Sequence, residues 1–78
     1  MNITIIDGQG GQLGAQLVKE ISNKFPDVVI TAIGTNSIAT ATMLKAGANN
    51  AATGENSVVV ASRKADIIIG PIGIVIHT

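Results

Sequence analysis

The 78-residue sequence contains no cysteine, so no disulfide stabilises it and its redox compartment is not indicated. A single histidine, His77, leaves no His/Cys cluster of the kind that holds a metal ion. The only aromatic residue is Phe25, which makes stacking of a flat cofactor ring on protein aromatics nearly unavailable. Charge is sparse and balanced: five Lys and Arg against five Asp and Glu give a formal net charge of zero. That balance argues against a nucleic-acid partner, which calls for a basic patch against backbone phosphates. It argues equally against electrostatic docking on an anionic membrane. No apolar run reaches the ~18 residues of a membrane-spanning helix. The basic start and long apolar core of a secretory signal are missing, and a cytoplasmic location is expected.

What is present is apolar: 46 % of residues are hydrophobic and 13 % charged. A chain this short forms one domain and buries only roughly 60–65 % of its unfolded surface, which leaves stability marginal. With no disulfide or metal cluster to help, a partner chain or a further part of the same chain is the expected aid.

"ITII" (Ile3 to Ile6) is a continuous, mostly β-branched run that suits a strand buried on both faces of a parallel sheet. Leu13, Leu17, Ile21 and Phe25 then recur every four residues, with Val18 beside them and Lys19, Glu20 and Lys24 opposite. This predicts an amphipathic helix that ends at Pro26 and Asp27. "VVITAIG" (Val28 to Gly34) reads as a second strand. Asn36 or Ser37 caps a second helix, whose buried side is predicted as Ile38, Ala41, Leu44 and Ala48, with Met43 as core filler and Gly47 as the stop. "ANNAATGEN" (Ala48 to Asn56) reads as a polar loop. "SVVVASRKA" is open: three valines favour a strand, whereas a helix over 57–64 completes a crossover. "ADIIIG" (Ala65 to Gly70) is the third predicted strand, followed by "PIGIVIHT".

Strands alternating with helices imply α/β architecture and a parallel sheet. The expectation is a three-stranded parallel sheet of order 2-1-3 with flanking helices, half of a Rossmann-like doubly wound fold. The chain stops in or just after an apolar stretch, so its sheet edge is expected to lack cover and to self-associate, or to belong with a missing C-terminal part.

"DGQGGQLG" (Asp7 to Gly14) places four glycines in eight residues between the first strand and the first helix. In that setting glycines allow a tight turn, close backbone approach to a pyrophosphate, and close packing of helix on strand. Gly8, Gly10, Gly11 and Gly14 give Gly-x-Gly-x-x-x-Gly or Gly-x-x-Gly-x-x-Gly, not the dinucleotide fingerprint Gly-x-Gly-x-x-Gly. The string "GGQLG" is similar to the loop of extended short-chain dehydrogenases. The loop contains no lysine, which excludes a P-loop. Two features oppose NAD. Asp7 puts a carboxylate beside the phosphate position, and Gly34-Thr35-Asn36 supplies neither the acid that holds a ribose 2′-hydroxyl nor an arginine for a 2′-phosphate. Two readings therefore stand side by side. In one the backbone N–H groups of Gly10, Gly11 and Gln12 face a small anionic ligand, NAD(P) or another nucleotide. In the other the glycines only pack the helix on its strand.

In doubly wound folds ligands bind at the carboxyl edge of the sheet. There "DGQGG", "GTN" and "GPIG" should meet, and the candidate ligand-binding residues are Asp7, Gly8, Gly10, Gly11, Gln12, Gly14, Thr35, Asn36, Gly70 and Gly73. Asp7 is open as a general base, metal ligand or Asx-turn former, and Asn36 as a ligand contact or helix cap. Glu55 and Asn56 reach the same edge or simply start a helix, where acids are favoured. Gln9 and Gln12 are amide donors or solvated loop residues. Arg63 and Lys64 read as a solvated helix end, His77 as tail, and Asp66 as lying at the far end of its strand. No nucleophile has an adjacent base, so no triad can be assembled, and whether any reaction is catalysed stays open.

Together, "IDGQGGQLG", "IGTNSIATATMLKAGANNAATGEN" and "ADIIIGPIGIVI" resemble a small bacterial family, domain of unknown function 3842, over nearly the whole chain. The resemblance implies a Rossmann-type protein of which this chain is the N-terminal part. It marks the same loops, Asp7 to Gly11, Gly34 to Asn36 with Thr53 to Asn56, and Gly70 to Gly73, and it carries no activity or residue role with it. Binding of a small anionic ligand or nucleotide is the first expectation. A non-catalytic interaction protein and an NAD(P)-dependent oxidoreductase are the alternatives.

Overall fold

The computed structural model describes residues 1–76, so the expectation for His77 lies outside the described residues. β1 (Asn2–Asp7) lies at the centre of a five-stranded sheet of order β3-β2-β1-β4-β5. It pairs in parallel with β2 (Val29–Gly34) on one side and β4 (Ile67–Gly70) on the other. This is the expected 2-1-3 arrangement of the three predicted strands. The sheet is wider than expected, and mixed. β3 (Asn50–Thr53) adds to β2 in parallel, and β5 (Gly73–Ile76) folds back antiparallel on β4. β3 falls inside the predicted polar loop. "NAAT" has no large β-branched or aromatic residue, and it is a strand because the free edge of β2 offers it hydrogen-bonding partners. "GPIG" connects no strand to a helix. It is a hairpin turn, with Gly70 paired to Gly73.

Three helices complete the fold: α1 (Gln12–Lys24), α2 (Ser37–Lys45) and α3 (Glu55–Lys64). The open segment 57–64 is therefore helical. The main core lies between the sheet and α1 and α2, where Ile3, Ile5, Ile30 and Ala32 meet Val18, Met43 and Ala48. The alternate strand residues Thr4, Thr31 and Ile33 point to the other face, beside α3. Helices on both faces make the arrangement doubly wound, with the reversal of strand order between β1 and β4.

The helices bury different faces from those expected. In α1 the residues buried against the sheet are Gly14, Ala15 and Val18. Leu17 and Ile21 flank them, while Leu13 is 65 % exposed and Phe25 58 %. A row of residues spaced by four drifts about 40° round the helix at each step, so it cannot stay on one contact line. In α2 the buried residues are Ala39 and Met43, whereas Ile38, Ala41 and Leu44 are exposed; of the predicted set only Ala48, just past the helix, is buried. α2 ends as expected at Gly47, with φ 120° and the paired bonds Gly47 N–H to Leu44 O and Ala48 N–H to Met43 O. At the far edge of the sheet Asp66 closes the fold. It accepts from Asn2 N–H at 2.8 Å and returns its own N–H to Asn2 O at 2.8 Å.

Candidate functional site

The parallel register sets Asp7, Gly34 and Thr53 side by side at the carboxyl ends of β1, β2 and β3. The loops that leave these strands are stitched together directly. Thr35 N–H donates to Asp7 O at 3.0 Å, and Gly54 N–H to Gly34 O at 3.0 Å. The Thr40 hydroxyl in α2 lies 2.7 Å from that of Thr53 and 3.1 Å from Asn36 O. "DGQGG" and "GTN" therefore meet as expected, and the Thr53–Gly54 loop joins them through Thr40. This last connection was not foreseen, because nothing in the sequence pairs two threonines thirteen residues apart.

Residues 7–13 line a cleft of about 400 Å³ over the start of α1. The helix begins without a capping side chain, because its N-cap residue is Gly11. Asp7 supplies what is missing. Its Oδ2 accepts from Gly14 N–H at 2.8 Å, the bond a Ser or Asp at the N-cap would make, and its Oδ1 accepts from Gly8 N–H at 2.8 Å. These bonds reach the next residue and the first helical turn. They are not the two-residue bridge of an Asx-turn.

The four glycines have different reasons to be there. Gly11 adopts φ 73°, and a Cβ on it would sit 2.6 Å from Ala39 O and 2.8 Å from Ala39 Cα, so α1 and α2 touch at this point. A Cβ on Gly14 would come within 2.6 Å of Met43 Sδ and 3.0 Å of Asp7 Cβ. Gly8 sits tightly against the Thr35 hydroxyl. Gly10 has no such reason. A Cβ there would meet only Gln12 Cγ, at an ordinary 3.9 Å, and its φ is not positive.

The expected donor set changes in one member. Gly11 N–H is bonded to Gly8 O at 2.9 Å and is not free for a ligand. Among the described residues the N–H groups of Gly10, Gln12 and Leu13 make no hydrogen bond, and all three residues line the cleft. Leu13 was not among the sequence candidates, since a first-turn donor is recognised only once the helix start is fixed.

Asn36 uses both ends of its amide. Oδ1 accepts from Ala39 N–H at 2.9 Å as the cap of α2, and Nδ2 donates to Gln9 O at 3.0 Å. Thr35 is exposed at the rim. Gly70 and Pro71 border a narrow gap of about 30 Å³ beside Asp7 and Gly14 at the β1/β4 switch. Gly73 lies instead against an apolar hollow lined by Ile6, Ile68 and Val75. Glu55 opens α3 and is exposed, and Asn56 faces the groove beside that helix. Among the described residues no three His, Cys, Asp or Glu side chains converge to hold a metal, and no helix is long and apolar enough to cross a membrane.

The sequence matches the family "Domain of unknown function (DUF3842)" over residues 2–78, and the chain belongs to that family. No curated protein and no solved structure matches it.

Proposed function

We propose that this member of the family binds a small anionic ligand, a phosphate-bearing one such as a nucleotide, over the glycine loop and the N-terminus of α1. The observation that carries this reading is Gly10. Packing accounts for Gly11 and Gly14, and a Cβ on Gly8 would meet the Thr35 hydroxyl, whereas Gly10 borders open cleft and needs no glycine for its own backbone. A bare backbone facing a cleft lets a ligand approach closely. The N–H groups of Gly10, Gln12 and Leu13, with the positive end of the helix dipole, are the donors available to it.

Asp7 sets the terms of binding. Its carboxylate already occupies Gly14 N–H and opposes a second negative charge nearby. Lysine and arginine occur only at positions 19, 24, 45, 63 and 64, outside the loops of this edge. The ligand is thus held by backbone donors, and Mg²⁺ would favour it by offsetting charge.

The test is a thermal-shift panel of NAD, NADP, ATP, flavins and sugar nucleotides, with and without Mg²⁺. A ligand at 100 times its dissociation constant stabilises by about 2.7 kcal/mol. The expected result is a shift that disappears in Gly10→Val while the unliganded protein melts unchanged. No shift across the panel would sink the proposal.

A second reading, an interaction protein, is favoured by β5. All four of its residues are exposed, with Ile74 at 66 %, Val75 at 60 % and Ile76 at 67 %. A neutral apolar strand at a sheet edge is a template for pairing with another chain. The oxidoreductase alternative gains nothing from the geometry, since Asn36 stands where an acid would hold a ribose and its amide is already engaged at both ends.

A further inference from the structure

Gln9 is the only non-glycine residue with positive φ among the described residues, at 47°. It is the first central residue of the turn closed by Gly11 N–H and Gly8 O. Gly10, the second central residue, does not have positive φ. That is the sign pattern of a type II′ turn, which favours glycine at the first central position. The sequence has the order reversed, with Gln where Gly is preferred and Gly where it is not required. Local preference alone would not choose this turn, so something outside it holds the conformation.

The side chain placed to do so is Asn36. Besides the strand ladder, two hydrogen bonds join residues 7–11 to residues 34–39. One is backbone to backbone, from Thr35 N–H to Asp7 O. The other, from Asn36 Nδ2 to Gln9 O, is the only one made by a side chain, and it ends on the strained residue itself. The same amide's oxygen caps α2. Of the good N-cap residues only Asn combines the capping acceptor with a side-chain N–H that reaches a second loop; Asp caps equally well but has no donor.

We infer that Asn36 is a positioning residue: its amide clasps Gln9 at its positive φ and so fixes the shape of the glycine loop, with Gly10 turned to the cleft. The consequence for ligand binding rests on the function proposed above. The clasp itself does not. Because the clasp and the cap are opposite ends of one planar amide, the start of α2 and the shape of the loop are set together.

Asn36→Asp separates the two roles. It keeps the cap, removes the donor and sets a carboxylate against Gln9 O. Asn36→Ser keeps a cap with no charge and cannot span the gap, which covers the case in which the aspartate variant folds poorly. The readout is amide hydrogen exchange by NMR on the whole chain, followed by titration with inorganic phosphate. We expect exchange at Gly11 to rise at least tenfold while Ile5 and Ile33 in the central strands stay unchanged, and phosphate affinity to fall by roughly tenfold. If Gly11 exchange rises and the unsubstituted protein binds no phosphate, the clasp stands and the proposed function falls. If both variants fold and Gly11 exchange is unchanged, the clasp is refuted whatever phosphate does.

Discussion

Asp7 and Gly14 are joined across the glycine loop by a 2.8 Å hydrogen bond from the Gly14 N–H to Asp7 Oδ2. The last residue of β1 thereby caps the first turn of α1, a task that the N-cap residue Gly11 has no side chain to perform. The strand end, the loop and the helix start are one unit, and Gly14 must lack a side chain because Asp7 and Met43 close over it.

Asp7→Asn should therefore act in two opposite directions. The amide keeps one acceptor and turns a donor toward the other N–H, leaving either Gly8 or Gly14 unpaired at a half-buried position. The expected loss is about 1–3 kcal/mol of stability, read from urea denaturation. Removing the negative charge should at the same time tighten phosphate binding at the loop. Weaker phosphate binding by a folded Asp7→Asn protein would mean that the carboxylate helps to hold the ligand and does not repel it.

The glycines should separate on substitution by alanine. Gly11→Ala and Gly14→Ala drive a Cβ into Ala39 backbone and Met43 Sδ, and overpacking of this kind costs about 1–3 kcal/mol. Gly10→Ala should leave stability equal or raise it by about 0.4–1 kcal/mol, since an unstrained alanine restricts the unfolded chain. Melting curves of the three variants side by side decide the matter, and a large loss in Gly10→Ala would return that glycine to a packing role.

Thr40→Val should cost about 0.5–1.5 kcal/mol, the net value of a hydrogen bond, because the hydroxyl joins Thr53 and Asn36 O at the ends of β2 and β3. Thr40→Ser, which keeps the hydroxyl, should recover most of that loss. Equal melting temperatures for the valine variant and the unsubstituted protein would show that the pair contributes no stability.

Val75→Lys should reduce concentration-dependent association measured by light scattering, because a lysine on an edge strand opposes pairing with another edge. Val75 does not line the loop cleft, so phosphate binding should stay the same. A chain that is monomeric at all concentrations before substitution would remove β5 as an association surface.

Much of the architecture was legible in the residues. The runs "ITII", "VVITAIG" and "ADIIIG" are apolar enough to be strands in any context, and their alternation with helices dictates a parallel order with β1 central. β3 was not legible, because "NAAT" has weak strand preference and takes its conformation from the edge of β2. The buried faces of α1 and α2 depart from the spacing of their large residues for a related reason. Large residues mark a helix as amphipathic, but the close contact of α1 with α2 and the sheet is made by small ones, Gly11, Gly14, Ala15 and Ala39.

At the site the sequence by itself determined the residue types: glycines, one carboxylate and a capping asparagine at the ends of adjacent strands. Only the tertiary structure decided what each is for. Gly10 and Gly11 are neighbours in the chain, yet one meets open cleft and the other meets Ala39. Asn36 caps its own helix, which local spacing reveals, and also holds Gln9, which it does not. Local preferences act over a few residues of chain, whereas these assignments depend on what the fold brings together from 27 and 28 residues away.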